Sequence, residues 1–549
     1  MRKTKTISKV PFLAPDVETK IIPAPTDGWD AISPLAEMDP KRAPILVNWV
    51  ARPGYVEVRQ GSYPWSRPST TAPVETIMVY RQPTGETMFA AAGTTISDVS
   101  SYGLSTPVVT GLGSGRWQYT NFTPAGANTV LLCVNGVDQM RSWNGSAWSV
   151  PVITGFPSGI TTTAQAINIY AAKQRIWLVW KNSTLVSFLA TQAIQGALAG
   201  TQDFGPLFNK GGYLVAVTDW TIDGGNGPQD YVAFVSSRGQ IALYAGTDPT
   251  NSSVWALIGV FNLAPPMGLR CAYSIGSDIA LITQQGVLPI SQALPFDPSA
   301  DRSVAITARI QNAMAQAAQV GNTFFGWQLM AFPLQQLLIL NVPLAENEAQ
   351  DQFVMNTLTG AWSHFTGWNA NCFEIFGDNL YWGDNNGFVI RGYSGYSDSG
   401  VGVTIDMQCA FNWFEEPGKV KRMTMIQPLL TVNGTITPAL EVDVDFGTSS
   451  ATQPLSINAT GVLWDSAIWD VSLWPSNTTN YTQWLTVEAI GHAFAARIHT
   501  TLPVSPSSGV SLFDSAVFDT ATFDGTPNGV AITLQVNAFN SILETGGAI

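Results

Sequence analysis

Charge is scarce in this sequence. Only 12% of its 549 residues are Asp, Glu, Lys or Arg, about half the usual share, and the formal net charge is −13. That balance argues against a general nucleic-acid binder, which would carry a basic stripe. Histidine is rarer still: His364, His492 and His499 are the full set. His492 and His499 stand seven apart in a strand-like region, so on a regular strand they face opposite sides and do not form a paired metal site. The four cysteines, Cys133, Cys271, Cys372 and Cys409, include no CxxC and no zinc spacing. Cys133, inside Val-Leu-Leu-Cys-Val, reads as a buried thiol. The set fits assembly in a reducing cytoplasm, and disulfides stay open. The N-terminus has lysines but no apolar core of a signal peptide. The apolar run from Phe324 to Leu344 is broken by Gln328, Pro333, Gln335 and Gln336, so no membrane span is expected.

Signatures of chemistry are missing too. HExxH, GxxxxGK[ST] and GxSxG do not occur. The glycine loop Gly111-Leu112-Gly113-Ser114-Gly115 has no dinucleotide-binding unit around it. A pair of carboxylates could run a glycosidase, but no residues stand out as that pair and no sialidase-type Asp-box repeats. The expectation is a protein that is not an enzyme, with no catalytic, cofactor-binding or metal residues to assign and no cofactor.

What is present is aromatic and turn-rich: 19 Trp, 49 Gly and 34 Pro. A weakly charged, Trp-rich surface suggests cover by neighbouring subunits, although a rich core gives part of the same signal. From about Glu75 to Ser399 short alternating runs are split by turns. The runs include Thr76–Gln82, Glu86–Ala91, Val130–Val134, Ile167–Trp180, Tyr231–Val235, Ile241–Ala245, Ile279–Thr283, Leu337–Val342, Phe353–Asn356 and Asn379–Trp382. Turns fall at Pro83-Thr84-Gly85, Asn135-Gly136, Asn144-Gly145, Arg238-Gly239, Gln285-Gly286 and Asn386-Gly387. Trp148, Trp255 and Trp362 each follow a tight turn, as they would if successive propeller hairpins packed an aromatic on the next blade. The fold class expected is mainly β, a β-propeller-like body with an additional C-terminal β domain and one helix at about 302–320. That helix carries an apolar stripe at Ile306, Ile310, Ala313, Met314, Ala317 and Val320, a cap at Asp301 and a stop at Gly321-Asn322.

From Val403 the composition changes. Val403–Trp413 alternates, Glu415-Glu416-Pro417-Gly418 turns the chain, and a strand follows through Leu430. The trio Lys419, Lys421 and Arg422 reads as solvated charge. Leu463–Trp474 and Leu512–Phe523 repeat an aromatic every five residues, a spacing that suits a string of Asx turns. Calcium held by Asp465, Asp470, Asp514, Asp519 and Asp524 is the sharper reading, disfavoured because EF-hand spacing is missing. The last expected strand is Val530–Phe539.

One stretch carries a resemblance. Ser33-Pro34-Leu35-Ala36-x-Met38 is followed by the basic pair Lys41-Arg42, then Asn48-Trp49, then Arg52-Pro53-Gly54-x-Val56-Glu57-Val58-Arg59-x-Gly61. Locally this is a loop, with a short helical turn possible across Lys41 to Leu46, then a Pro-Gly turn and an edge strand at Tyr55–Arg59. Its order of parts resembles the N-terminal signature of the tail nozzle proteins of short-tailed bacteriophages, also called tail tubular protein B, which are related to packaged-DNA stabilisation hub proteins. The Pro417-Gly418 turn and following strand are similar to the start of their C-terminal β region. The resemblance implies a β-propeller body. It also implies a structural virion protein: a homo-oligomeric ring, a hexamer by that family's pattern, that meets portal and adaptor proteins and tail fibres or spikes. Double-stranded DNA would pass through its lumen without sequence specificity, retained until ejection. Localisation would be the virion tail after assembly in the host bacterial cytoplasm. The parts expected are an extended N-terminal arm at 1–30, with Arg2, Lys3, Lys5 and Lys9 solvated or docked on an acidic neighbour, a propeller-like body at 31–400 and a C-terminal platform domain at 401–549. Lumen-facing loops are expected to carry more Asp and Glu than Lys and Arg, because each basic contact adds salt-dependent grip on DNA. The alternative is a glycan-binding or glycan-depolymerising propeller of a tail tip or cell surface.

Overall fold

Where an apolar run ends on a glycine or Asx turn, the chain reverses and pairs with itself. In the computed structural model, which describes residues 16–223, 228–293, 304–433, 435–447, 453–455, 457–458, 478–502 and 533–545, this happens repeatedly from residue 74 to 392. Val74–Gln82 opens a four-stranded antiparallel sheet that continues through Gly85–Ala92, Thr95–Asp98 and Thr106–Val109. Further sheets open with Gln118–Phe122, Ala166–Ala172, Leu214–Asp223, Ala272–Ile275, Gln328–Phe332 and Ala370–Phe376. Each opening strand packs against the opening strand of the next sheet, and Ala370–Phe376 packs back on Val74–Gln82. The ring is therefore closed, and the body is a β-propeller. Its last sheet, Ala370–Phe376, Asn379–Asp384 and Val389–Gly392, is completed by Ser62–Ser66 from the other end of the body.

Aromatics join the sheets as expected. Trp148 and Trp143 meet Phe89 of the preceding sheet at 5.0 and 5.2 Å. Trp255 stacks on Trp177 of the preceding sheet at 5.9 Å. The run Ile167–Trp180 proves to be two strands, Ala166–Ala172 and Arg175–Trp180. Lys173 and Gln174 turn between them with φ of 53° and 56°, a turn that no Gly or Pro announces.

The chain ends build a second module of two packed sheets. One layer holds Ile45–Val47, Thr404–Gln408, Phe494–Thr501 and Ala439–Val444. It runs on into the propeller, because Trp362–Phe365 pairs with Ile45–Val47. The other holds Trp49–Arg52, Tyr55–Val58, Leu534–Thr545, Lys421–Asn433 and Thr478–Tyr481. Leu46, Trp49, Val56, Met407, Met423, Ile426, Phe494, Ile498 and Phe539 share the core between them.

These pairings redraw the expected boundaries. Within the expected arm, Asp16–Pro23 is a strand along Leu534–Thr545, and residues 45–58 belong to the C-terminal module rather than the propeller. The helical turn expected across Lys41 to Leu46 is instead the strands Arg42–Ala43 and Ile45–Val47. The last strand is Leu534–Thr545, longer at its end than expected, because Lys421–Asn433 and Asp16–Pro23 supply partners along it. The helix is Gln311–Gly321, after a single 3-10 turn at Ala308–Ile310. It starts late because the preceding residues are tied to a strand: Ile306 N–H donates to Val287 O, and Thr307 Oγ1 accepts from Val287 N–H. Ile310, Met314 and Ala317 are buried as the stripe implies, but Val320 is exposed. Asp301, the basic arm residues and both aromatic-Asp strings lie outside the described residues.

Asp30 pins the entry to this second module. Its carboxylate accepts from Ile32 N–H, Ser33 N–H, Ser33 Oγ and Arg42 Nη1, all at 2.8–2.9 Å. Burial alone would raise its pKa, yet these donors hold it below the ordinary 3.8. Such a group adds stability above pH 3.8 that is lost as pH falls through the lowered folded value. Asp30→Asn should therefore cost about 1.5–3 kcal/mol at neutral pH, and the difference from wild type should shrink in acid unfolding curves.

Candidate functional site

The opening strands alternate like any others, so each puts some side chains toward the propeller axis. They enclose an axial cavity of about 440 Å³ to which all of the opening strands contribute. Its polar lining includes Thr76, Gln118, Asn168, Thr218 and Gln328. Gln118 and Asn168 are each 8% exposed. Gln118 Nε2 and Asn168 Oδ1 have no hydrogen-bond partner among the described residues.

Charges sit toward the two ends. Where the strands begin, Arg270 Nη2 donates to Thr76 Oγ1 (2.8 Å), Glu75 O and Trp117 O, and its guanidinium lies 5.0 Å from the Phe325 ring centre. Burial lowers the Arg270 pKa. Beside it Arg116 bridges Glu75 and Glu346 and lies 4.5 Å from the same ring. Farther along the axis, Glu374 accepts from Arg81 Nη2 (2.8 Å) and Tyr119 OH (2.6 Å). Burial pushes Tyr119 well above the usual phenol range, and Glu374 adds to the rise. Burial works against the Arg81 charge, but Glu374 and Tyr119 keep its pKa raised. Sequence reasoning assigned none of these residues. The available signal was a polar residue on the first strand of successive hairpins, which carries meaning only once the ring is known.

The signature stretch forms a buried joint between the modules. Asn48 takes φ of 60°, a conformation Asn tolerates, and its side chain bonds Thr366 and Thr404. Arg59 donates to Asn48 Oδ1 (2.8 Å), Thr366 O (2.9 Å) and both oxygens of Asp398 (3.0 and 2.5 Å). It also lies 4.7 Å over the Trp368 ring. A Cβ on Gly61 would fall 2.3 Å from Ser397 O, so the signature's final position must be glycine for the two backbones to meet.

Other residues singled out in the sequence are paired within the fold. Each histidine has its own carboxylate: His364 with Asp351, His492 with Asp445 and His499 with Glu441. His492 lies in the turn between Leu485–Gly491 and Phe494–Thr501 rather than on a strand. Lys421 corrects the expectation of solvated charge: it is 1% exposed, and Nζ donates to the carbonyls of Glu416, Lys419 and His492. Lys419 and Arg422 remain at the surface, paired with Glu416 and with Glu488 and Glu544. Lys421→Met should cost about 1–3 kcal/mol by leaving those carbonyls without their donor, and hydrogen exchange should speed up in the 415–418 turn.

All four cysteines are buried free thiols. Burial pushes Cys271 and Cys409 up to about 12 and Cys372 to about 11. Because the thiolate is the reactive form, a thiol-reactive dye at pH 8 should label none of the four until the protein unfolds, and then all four. Among the described residues no helix is long and apolar enough to cross a membrane.

No family model matches the chain, and no curated protein matches it. Several solved structures do. BBS1N, crystallised in complex with ARL6DN, is 10% identical over 62% of this chain and 99% of its own, with a TM-score of 0.35. A putative exported protein from Bacteroides fragilis is 9% identical over 48% of this chain and 83% of its own, with a TM-score of 0.28. The extracellular domain of a putative one-component system from B. thetaiotaomicron is 9% identical over 88% of this chain and 61% of its own, with a TM-score of 0.38.

Proposed function

We propose that this chain is a wall subunit of a tail nozzle of the short-tailed phage type. Copies close into a ring, six by the family's pattern, below portal and adaptor proteins. The ring continues the DNA channel, retains packaged DNA and conducts it at ejection. The observation that carries the reading is the placement of the signature residues: Asn48, Trp49, Arg59 and Gly61 lie in the joint that fuses propeller to C-terminal module. One layer of that module is continuous with a propeller sheet, which suits a part that bears load as one block.

The channel for DNA then lies between subunits rather than within one. Spread over about four residues of strand, or roughly 13 Å, a cavity of about 440 Å³ is roughly 6–7 Å across, narrower than the ~12 Å major groove of a duplex alone. The net charge of −13 gives the polymer little to grip. Rings of this kind close by heterologous contacts. Light scattering of the chain mixed with its adaptor should show a particle about 350 kDa heavier than the adaptor ring, six chains of 58.9 kDa in closed cyclic symmetry. Addition of single chains without closure, or no addition, counts against the reading.

A further inference from the structure

We infer that the chain's own first residues, 1–13, dock on an aromatic patch with an acidic rim at one end of the C-terminal module. The inference goes beyond the ring reading and does not depend on it. The patch is built from parts far apart in sequence. Trp413 Nε1 donates to Ala36 O (3.0 Å), and the Phe411 and Trp413 rings lie 4.8 and 5.6 Å from the Phe446 ring. Phe446 and Leu35 are 37% and 40% exposed, and Ala36 is exposed too. Phe446 takes φ of 66°, a conformation that bulky side chains rarely adopt. Asp445 fixes that turn by accepting from His492 N–H and Ala493 N–H at 2.8 and 2.9 Å. Strain of this kind clusters where proteins make functional contacts.

Charge and position name the occupant. Glu37, Glu415, Glu416 and Asp445 neighbour the patch residues in sequence. Against them stand Lys419, Lys421 and, when protonated, His492, so the rim stays acidic. Residues 1–13 hold Arg2, Lys3, Lys5 and Lys9 with no carboxylate, followed by the apolar Val10, Phe12 and Leu13. The described chain begins with Asp16, which pairs with Thr545, itself the partner of Lys421. Asp16–Pro23 and Lys421–Asn433 both run antiparallel to Leu534–Thr545, and are therefore parallel to each other. Residues before Asp16 thus leave the sheet at the end where residues 413–420 enter it. Two strand spacings, about 10 Å, separate the two starting points, and the residues before Asp16 can span up to ~50 Å. Lys20 has its pKa raised chiefly by Glu18 and further by Glu415 and Glu416, which puts that turn beside the first strand. So short a tether gives the arm a roughly millimolar local concentration, so a contact too weak to hold a separate molecule is enough.

The test uses the full chain. A carbodiimide, which joins a lysine amine to a carboxylate in contact with it, should link Lys3, Lys5 or Lys9 to Glu37, Glu415 or Asp445. In a mixture of isotopically light and heavy chains, those links should join light to light and heavy to heavy only. Hydrogen exchange at 35–37, 413–416 and 445–447 should quicken about threefold or more when residues 1–13 are removed. The combined change Lys3→Glu, Lys5→Glu and Lys9→Glu should do the same, and so should salt at about 0.5 M, which screens exposed charges. The links and the salt response are read on the wild type and stand even if a variant fails to fold. No link from the arm to these carboxylates, links between light and heavy chains, or exchange unmoved by salt and by loss of the arm each overturns the assignment. None of these outcomes bears on whether the subunits form a ring.

Discussion

Arg59→Met should destabilise the protein by about 3–5 kcal/mol, because it strands a buried carboxylate. The Arg59 side chain is fully buried and its Asp398 partner nearly so. Removing the guanidinium deletes a bidentate pair, the bond to Asn48 and the contact over Trp368 at once. Among the described residues, Asp398 would keep Ser62 Oγ and Trp368 Nε1 as side-chain donors. Arg59→Lys keeps a charge but not the planar fork, and should lose about half as much. The double variant Arg59→Met/Asp398→Leu should recover most of the loss, since an apolar pair of similar volume leaves no charge unpaired. Urea unfolding of wild type, Arg59→Met, Asp398→Leu and the double variant gives the cycle. Because the pair sits where propeller and C-terminal module meet, Arg59→Met should also split a single unfolding transition into two. A loss under about 1 kcal/mol would mean that the pair behaves like an exposed one.

Trp49→Ala is the second large effect, about 3–5 kcal/mol. The indole is fully buried among residues of both layers of the C-terminal module. Its Nε1 has no partner among the described residues, so the ring acts by volume alone. Trp49→Phe should therefore cost only about 1–2 kcal/mol, the price of a smaller ring without a lost hydrogen bond. Equal costs for Ala and Phe would show that the indole N–H, rather than its bulk, matters.

Strand content was readable because local pattern decides it. Val130–Val134 is apolar throughout and flanked by turn residues, and it folds as read. The Lys173-Gln174 turn was not readable, since nothing in its composition forces a positive φ. Lys421 misled for another reason: a lysine's burial depends on which carbonyls converge on it, and those of Glu416 and His492 come from separate parts of the chain. The strand Asp16–Pro23 depends on a partner more than 500 positions away, a pairing no local pattern carries. The cavity-lining residues Gln118 and Asn168 stand on different strands about 50 positions apart, and only the closed ring brings those strands together. The signature around Asn48 and Arg59 was legible as a resemblance, while its physical role at the joint needed Thr366, Trp368 and Asp398, far away in sequence.

The measurement that bears most directly on the proposed role is cryo-electron microscopy of purified short-tailed particles carrying this chain. Copies of the propeller should encircle the tail axis below the portal and adaptor, with DNA density running between them and loops at the lumen richer in Asp and Glu than in Lys and Arg. Propellers found only at the tips of fibres, or a lumen lined with arginines gripping the duplex, would contradict it.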